Sequence, residues 1–260
     1  MTDFLYGRWP VLEALRAGRR DFQQLLIAEG VEDKGIIQDI TAVANQRGVG
    51  IRYVPRRIVD DLAKEGNHQS VVLRVGDYQY ADIDDILALP AQRNEKPFFL
   101  LLDLLKDPQN VGVLLRVAEA VGMHGIILQE RRGVGITPSV VAASSGASEH
   151  LHIAQVTNLV NTMKKLKELE VWLVGLDIGP DTQVINQVDL NMSLGMVLGS
   201  EGEGMRRLVR ETCDILVTLP MRGAVDSLNV ATVGSFALYS AWQARGWQGW
   251  DKLKTPQRNA

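Results

Sequence analysis

The chain has 260 residues, of which 46% are hydrophobic and 23% are charged, as is typical of a globular protein with an apolar core. Its net charge of −3 excludes a basic protein that coats nucleic acid nonspecifically, and its one cysteine, Cys213, excludes an internal disulfide. No apolar run reaches the roughly 18 residues of a membrane span, and the first residues do not resemble a secretory signal. We therefore expect a cytoplasmic enzyme that contacts no membrane.

The first part of the chain alternates between strand and helix patterns. In chain order the patterns predict strand 24–28, helix 35–48, strand 50–54, helix 56–66 and strand 70–75. These elements predict a small α/β domain at residues 1–76. An acidic stretch at 77–97 ends in Pro97 and is interpreted as a linker that contains one short helix.

From residue 98 the alternation resumes with longer elements, which predict a second domain at 98–250. Apolar strands are predicted at 98–103, 125–129, 151–154, 171–176, 194–199 and 214–219. Continuous apolar strands separated by helical patterns indicate a parallel sheet covered on both faces. The last pattern, at 227–246, has no charge before Arg245, so this helix should be buried in the core or against another subunit. Residues 251–260 are predicted to be a flexible tail.

Three segments of this second half place Gly, Asn or Ser where an apolar run gives way to a turn or a helix. They are DPQNVGVLLRVAEAVG at 107–122, VLGSEGEGM at 197–205 and LPMRGAVDSLNVA at 219–231. Open α/β proteins bind their ligands outside the carboxyl ends of their strands. We therefore predict that the three segments form one composite pocket.

The first segment combines a helix start with two candidate functional side chains. Asp107 is suited to cap a helix that begins with Pro108. Asn110 lies in the first turn, where its amide can reach a ligand. Arg116 interrupts an apolar stretch, which is costly unless an anionic ligand or a structural ion pair accompanies it.

The other two segments supply carboxylates, a hydroxyl and an amide. The glycine-rich turn at 199–204 lacks the spacing of a phosphate-binding loop, and Glu201 and Glu203 would repel phosphate. The turn therefore suits a neutral or cationic ligand, or is simply a tight turn. Ser227 is suited to cap the last helix, and Asn229 offers both a donor and an acceptor. The four histidines show no metal-ligand spacing, so no metal is expected.

In this order and spacing, the three segments resemble the motifs of the SpoU (TrmH-like) branch of the SPOUT family of RNA 2′-O-ribose methyltransferases. The resemblance covers residues 98–246, and segments 6–20 and 67–72 look like the substrate-binding domain of one subgroup. It implies a parallel sheet with a C-terminal trefoil knot, preceded by a small α/β substrate-binding domain. It also implies a homodimer formed through the knot and S-adenosylmethionine bound within it.

The resemblance further implies roles for ten residues. Backbone groups would hold the cofactor at Leu176, Gly199, Leu219, Met221 and Leu228. The family's functional positions fall on Asn110, Arg116, Glu201, Ser227 and Asn229. Family accounts often make the arginine the general base, but a guanidinium stays protonated and more easily clamps a phosphate. The asparagines would fix the hydroxyl and the ribose, while the glutamate and the serine would order the loops.

The expected reaction is therefore methyl transfer from S-adenosylmethionine to a ribose 2′-hydroxyl, with a guanosine of 23S rRNA as the favoured target. Ser70 and Ala142 depart from the residues common among relatives, which leaves the target nucleotide open. The base that removes the proton is also open between a carboxylate, a phosphate oxygen and water. The alternatives are the same chemistry on tRNA, a non-catalytic RNA-binding protein that uses the knot as a dimer scaffold, and a dehydrogenase. The first is disfavoured by the N-terminal domain and the last by the missing dinucleotide fingerprint.

Overall fold

Two β-sheets, one in each half of the chain, organise the fold. The structure is a computed structural model that describes residues 2–64, 66–224 and 227–251. Nearly all of the predicted flexible tail, residues 252–260, lies outside the described residues. No helix in the described part of the chain is both long and apolar enough to cross a membrane.

The smaller sheet is built from the first 75 residues. Its elements are β1 (Asp3–Tyr6), α1 (Arg8–Ala17), β2 (Phe22–Ala28), α2 (Ile36–Gln46), β3 (Ile51–Val54), α3 (Arg56–Ala63) and β4 (Val71–Val75). The strand order is β1-β4-β2-β3, with only β2 and β3 parallel. The five elements predicted here are found, with ends that differ by three residues at most. The sequence did not predict β1, because only Leu5 of its four residues is fully buried and no alternation is visible.

The larger sheet is parallel throughout, and the predicted parallel sheet is confirmed. Its strands within the described residues are β5 (Phe98–Leu102), β6 (Gly125–Gln129), β7 (Ile153–Val156), β8 (Trp172–Leu176), β9 (Gln183–Val184), β10 (Leu194–Leu198) and β11 (Ile215–Thr218). The helices of this half are α4 (Ile83–Arg93), α5 (Pro108–Ala120), α6 (Pro138–Ala143), α7 (Leu159–Glu168), α8 (Arg207–Thr212) and α9 (Val230–Ala244). The two-residue strand β9 was not predicted, because so short a strand has no periodicity.

The strand order brings distant parts of the chain to one edge of the sheet. The order is β7-β6-β5-β10-β8-β11-β9, so β10 lies between β5 and β8. Every residue of β5 and β10 is buried, as expected for inner strands covered on both faces. Because all neighbours run parallel, the loops that follow β5, β10, β8 and β11 leave the sheet at the same edge.

The stretch predicted as a linker packs on the larger sheet. Its helix α4 has eleven residues, longer than the short helix predicted, and Ile86 is fully buried against the cluster that contains Phe99. The Tyr78 hydroxyl donates a hydrogen bond to the backbone oxygen of Ser148 at 3.0 Å. Burial raises the pKa of the Tyr78 hydroxyl well above its ordinary value. The stretch 77–97 is therefore held by side-chain contacts along its length.

A buried ion pair joins the two halves of the molecule. Arg20 follows α1, and its Nη2 atom lies 2.7 Å from Oε1 of Glu149, with side-chain exposures of 1% and 0%. The Arg20 Nε atom donates to the same carboxylate at 3.0 Å, so the contact is bidentate. The Arg20 guanidinium also lies 5.0 Å from the centre of the Tyr78 ring. The small sheet is thus fixed on the large one by a desolvated charge pair.

We predict that Arg20→Met lowers the free energy of unfolding by about 3–5 kcal/mol, because it leaves the Glu149 carboxylate buried without its cation. The double variant Arg20→Met/Glu149→Met should lose less free energy of unfolding, since neither charge of the pair then remains buried. Arg207→Met removes an exposed pair with Glu211 and should cost about 0.5 kcal/mol or less. Urea unfolding measures all three. A double variant that is less stable than Arg20→Met would contradict this explanation.

Candidate active site

A cavity of about 910 Å³ opens at the carboxyl ends of β8, β10 and β11. Its walls come from the loops that follow these strands and from the start of α9. The five residues predicted to hold the cofactor all line it: Leu176, Gly199, Leu219, Met221 and Leu228. Three of the other predicted site residues line it as well: Glu201, Ser227 and Asn229. The structure therefore gathers the second and third sequence segments around one space.

The glycine-rich turn at 199–204 owes its composition to close backbone packing. Ser200 and Gly204 exchange two backbone hydrogen bonds of 3.0 Å, which closes the turn. Gly202 and Gly204 have φ angles of +76° and +68°, which other residues rarely adopt. A Cβ atom on Gly199 would lie 2.2 Å from the backbone of Gly204 and Met205. Each of these glycines is thus required by the shape of the turn.

The charges around the cavity suit a cation rather than a phosphate. Among the described residues that line it, the charged ones are Asp177, Glu201 and Glu203, all of them acidic. Arg210 binds Asp177 at 2.5 Å and Asp181 at 2.6 Å, and its hydrogen bond lowers the pKa of the Asp181 carboxyl. Asp177 was not predicted, although an acidic residue directly after an apolar strand could have indicated it.

Side chains from all three segments meet at the rim of this cavity. The Asn110 amide donates to Asp107 at 2.7 Å and also to Oε1 of Glu201. The Asn229 amide donates to Oδ1 of Asn110 at 2.9 Å and to Oε1 of Glu201 at 3.2 Å. Two amides thus hold one carboxylate oxygen. This cluster of Asn110, Glu201 and Asn229 couples loops that are far apart in the chain.

Asn229, and not Ser227, caps the last helix. The Asn229 side chain accepts hydrogen bonds from the backbone N–H groups of Ala231 at 2.8 Å and Thr232 at 3.3 Å. The predicted cap at Ser227 is therefore wrong, and α9 begins at Val230 instead of residue 227. Both residue types cap helices well, so the sequence alone favoured neither strongly. Ser227 is exposed at the cavity, and its hydroxyl makes no hydrogen bond among the described residues.

Arg116 lies apart from the other predicted site residues. It is exposed on α5, and its Nη1 atom donates to Oγ of Ser145 at 3.0 Å. The expected cost of burying this charge does not arise, because the side chain points away from the buried face formed by Leu114, Leu115 and Ala118. Arg116 lines a separate cavity of about 430 Å³ beside Trp9.

A buried carboxylate that was not predicted from the sequence holds the glycine-rich turn in place. Asp103 follows β5, is 1% exposed, and accepts hydrogen bonds from the backbone N–H and from Nε of Arg206, both at 2.8 Å. Asp103 could have been predicted, because an acidic residue at the end of an entirely apolar run needs a polar partner. Within the described ranges, no three His, Cys, Asp or Glu side chains come together as metal ligands.

The fold and the site define a class: an α/β protein whose ligand cavity lies at the carboxyl edge of a parallel sheet. Residues 97–239 match the SpoU rRNA Methylase family. Residues 4–81 match the family described as RNA 2′-O ribose methyltransferase substrate binding. The two matches together cover both sheets of the molecule.

Individual relatives agree with these matches. The chain is 43% identical over 243 residues to YacO of Bacillus subtilis, which carries the name of a TrmH family tRNA/rRNA methyltransferase, with 94% of this chain and 96% of YacO covered. It is 36% identical over 248 residues to the 23S rRNA (guanosine-2′-O-)-methyltransferase RlmB of Salmonella typhimurium, with 94% and 100% covered. A solved structure with a similar fold is that of the SpoU methyltransferase AviRb from Streptomyces viridochromogenes in complex with AdoMet. Its TM-score is 0.76 at 23% identity, and the match covers 95% of this chain and 91% of the AviRb chain. The chain therefore belongs to the SpoU family of RNA methyltransferases, and the predicted family is confirmed.

Proposed function

We propose that this protein transfers a methyl group from S-adenosylmethionine to the ribose 2′-hydroxyl of a guanosine in 23S rRNA. The observation that carries the proposal is the cluster of Asn110, Glu201 and Asn229 at the rim of the cavity that the predicted cofactor residues line. The choice of target is supported by the relative RlmB, whose whole length matches this chain, including the N-terminal half. The alternative target, tRNA, is kept because YacO carries a name that includes both kinds of RNA.

The cavity fits S-adenosylmethionine in size and in charge. Its walls combine loop backbone with apolar side chains, of which Met221 and Leu228 are 37% and 45% exposed over the open space. The acidic residues around it favour a sulfonium cation. Bound there, S-adenosylmethionine supplies an activated methyl group. The backbone of residues 199–204 and 219–221 lines the cavity and would surround the bound cofactor, which is the mode of binding that the resemblance implies.

The chain's own residues have to position the ribose and manage its proton. Asn110 and Asn229 hold the Glu201 carboxylate at the cavity rim, where the three side chains orient the 2′-hydroxyl. Ser227 adds a hydroxyl on the same wall. Arg116 makes no ion pair among the described residues, so its guanidinium is available to clamp a phosphate of the RNA. The proton leaves to a carboxylate, a phosphate oxygen or water.

The trefoil knot and the homodimer are further parts of the proposal. Support for the knot comes from the strand order, in which β10 enters between β5 and β8 after the chain has already formed β8. Support for the dimer comes from α9 and the turn after it, where four aromatic side chains are 39–54% exposed: Phe236, Tyr239, Trp247 and Trp250. An exposed apolar patch of this kind is typical of a protein interface.

The domain organisation belongs to the same proposal. Residues 1–76 form the RNA substrate-binding domain, 77–97 connect it, and 98–250 form the methyltransferase domain. The two sheets and the family matches at 4–81 and 97–239 support this division. The cytoplasmic location stays a prediction.

The function is tested by incubating the purified protein and labelled S-adenosylmethionine with unmodified 23S rRNA and, separately, with unmodified tRNA. We expect label in 23S rRNA at a single guanosine, and ribose-specific mapping should place it on the 2′-oxygen. Label in tRNA alone would favour the alternative substrate. No transfer to either RNA and no cofactor binding in calorimetry would indicate the non-catalytic alternative.

We predict that Arg116→Ala lowers kcat by about a hundredfold or more, because a phosphate-clamping contact made during the reaction is lost. Cofactor affinity should stay within a few-fold of wild type, since Arg116 does not line the 910 Å³ cavity. Arg116→Lys should also be slow, because lysine lacks the bidentate fork. Arg93→Ala, which removes another exposed arginine, is the control and should turn over normally. Normal turnover of Arg116→Ala would contradict the assigned role.

We predict that Phe236→Glu gives monomers with weakened S-adenosylmethionine binding. The substitution places a charge in the exposed aromatic patch, while α9 starts at the cavity, which Val230 and Val233 line. Trp172→Glu is the control, because Trp172 is 50% exposed and belongs to β8 instead of α9. Sedimentation velocity and calorimetry on the same samples measure both properties. A monomeric variant with full cofactor affinity would refute the coupling, and a monomeric wild type would refute the dimer.

A further inference from the structure

A groove of about 1050 Å³ lies between the two sheets, outside the cavity proposed for the cofactor. Residues of the small sheet and its helices form one wall, among them Tyr6, Trp9 and Gln69. Residues of the larger half form the other, among them Gln109 and Ser139. The Tyr6 hydroxyl donates to Oγ of Ser139 at 3.3 Å and so joins the two walls.

Trp9 is presented to this groove by a well-held helix start. It lies in the first turn of α1 and is 54% exposed. The turn is fixed because the backbone N–H of Arg8 donates to Oε1 of Gln69 at 3.0 Å, and Nε of Arg8 donates to the Gln69 backbone oxygen at 3.2 Å. Gly7 precedes the helix with a φ angle of +91°. About half of the Trp9 side chain is exposed, and the hydrogen bonds of Arg8 hold the turn that carries it. The indole therefore offers a flat apolar face to a ligand.

The lining of the groove suits a nucleobase better than a phosphate. Its described charged residues are Asp3 and Lys64, of opposite sign, and Asp3 lies 3.7 Å from the buried Arg20. Otherwise the polar groups are neutral, with side-chain amides at Asn67, Gln69 and Gln109. Amides can pair with the donor and acceptor edges of bases, and aromatic rings stack on unpaired bases.

The groove is continuous with the proposed catalytic machinery. Gln109 in its wall directly precedes Asn110, whose amide holds Glu201. Trp9 and Ser145 line both this groove and the 430 Å³ cavity of Arg116. Ser145 also accepts the hydrogen bond from Arg116, so the groove and the cavity of Arg116 meet at this residue. Trp9 thus lies on the boundary between the groove and the cavity that Arg116 lines.

We propose that Trp9 is a stacking platform for an unpaired nucleotide of the RNA substrate. The base lies on the indole in the groove between the two sheets, its edge faces the amides of Gln69 and Gln109, and its phosphate is held by Arg116. The inference rests on the proposed function in so far as it takes RNA as the substrate. It adds a place where the protein selects single-stranded over double-stranded RNA.

The test measures RNA binding without cofactor, by fluorescence anisotropy of a labelled oligoadenylate strand and of a labelled RNA duplex of the same length. Trp9→Ala should weaken binding of the single strand by about tenfold, since the stacking of one base on an aromatic side chain is lost. Trp9→Phe keeps an aromatic face and should stay within about twofold of wild type. Trp172→Ala is the matched control and should bind normally, because Trp172 is 50% exposed and lines neither the groove nor the cavity of Arg116. Duplex binding should respond little to any of the three.

Wild-type affinity in Trp9→Ala would overturn the inference. So would an equal loss in Trp172→Ala, or a loss in Trp9→Phe as large as that in Trp9→Ala, which would indicate a structural role. Because the assay contains no S-adenosylmethionine, its outcome is separate from that of methyl transfer. Failure of methyl transfer with Trp9-dependent binding intact would reject the proposed reaction and leave the stacking platform standing.

Discussion

The parallel alignment of β5, β10, β8 and β11 is the constraint on which the rest of the site depends. Parallel neighbours send all their carboxyl ends to one edge, so the loops after these strands share a small volume. Loop residues near positions 107, 177, 200 and 220 lie in or beside that volume. Burial of the inner strands on both faces fixes their register. The positions of the loops follow from the same apolar packing that stabilises the domain.

Close packing and hydrogen bonds then give the site at this edge a defined shape. The turn at 199–204 folds back on itself so tightly that Gly199 has no room for a side chain. Asp103 anchors the end of that turn through Arg206, and the two asparagines hold Glu201 on its other side. Asp103 and Asn110 are buried, so breaking their hydrogen bonds would leave a buried polar group without its partner, and these bonds hold the turn rigidly. Rigidity is what orienting a hydroxyl and a methyl donor requires.

The sequence predicted most of this fold because burial leaves a pattern that a single sequence shows. Apolar runs identified the inner strands, and the three segments identified the edge where the site lies. Contacts between distant residues were not predictable. Arg20 ends the segment 6–20 that resembles a substrate-binding domain, yet it is buried against Glu149, 129 positions away. The cap of α9 was misassigned because Ser227 and Asn229 are equally good caps, and the separation of Arg116 from the cavity depends on which face of α5 packs inward.

The proposed coupling of three loops into one cofactor site is tested most directly by calorimetric titration of S-adenosylmethionine into wild type and Gly199→Ala. The substitution adds one methyl group at a point where a Cβ atom would meet backbone at 2.2 Å, so the turn must shift and carry Glu201 with it. Gly223→Ala, with nothing within 4 Å of the added atom, is the control. We expect one cofactor bound per chain in wild type and in the control, and no measurable binding in Gly199→Ala. Wild-type affinity in Gly199→Ala would contradict the placement of the cofactor.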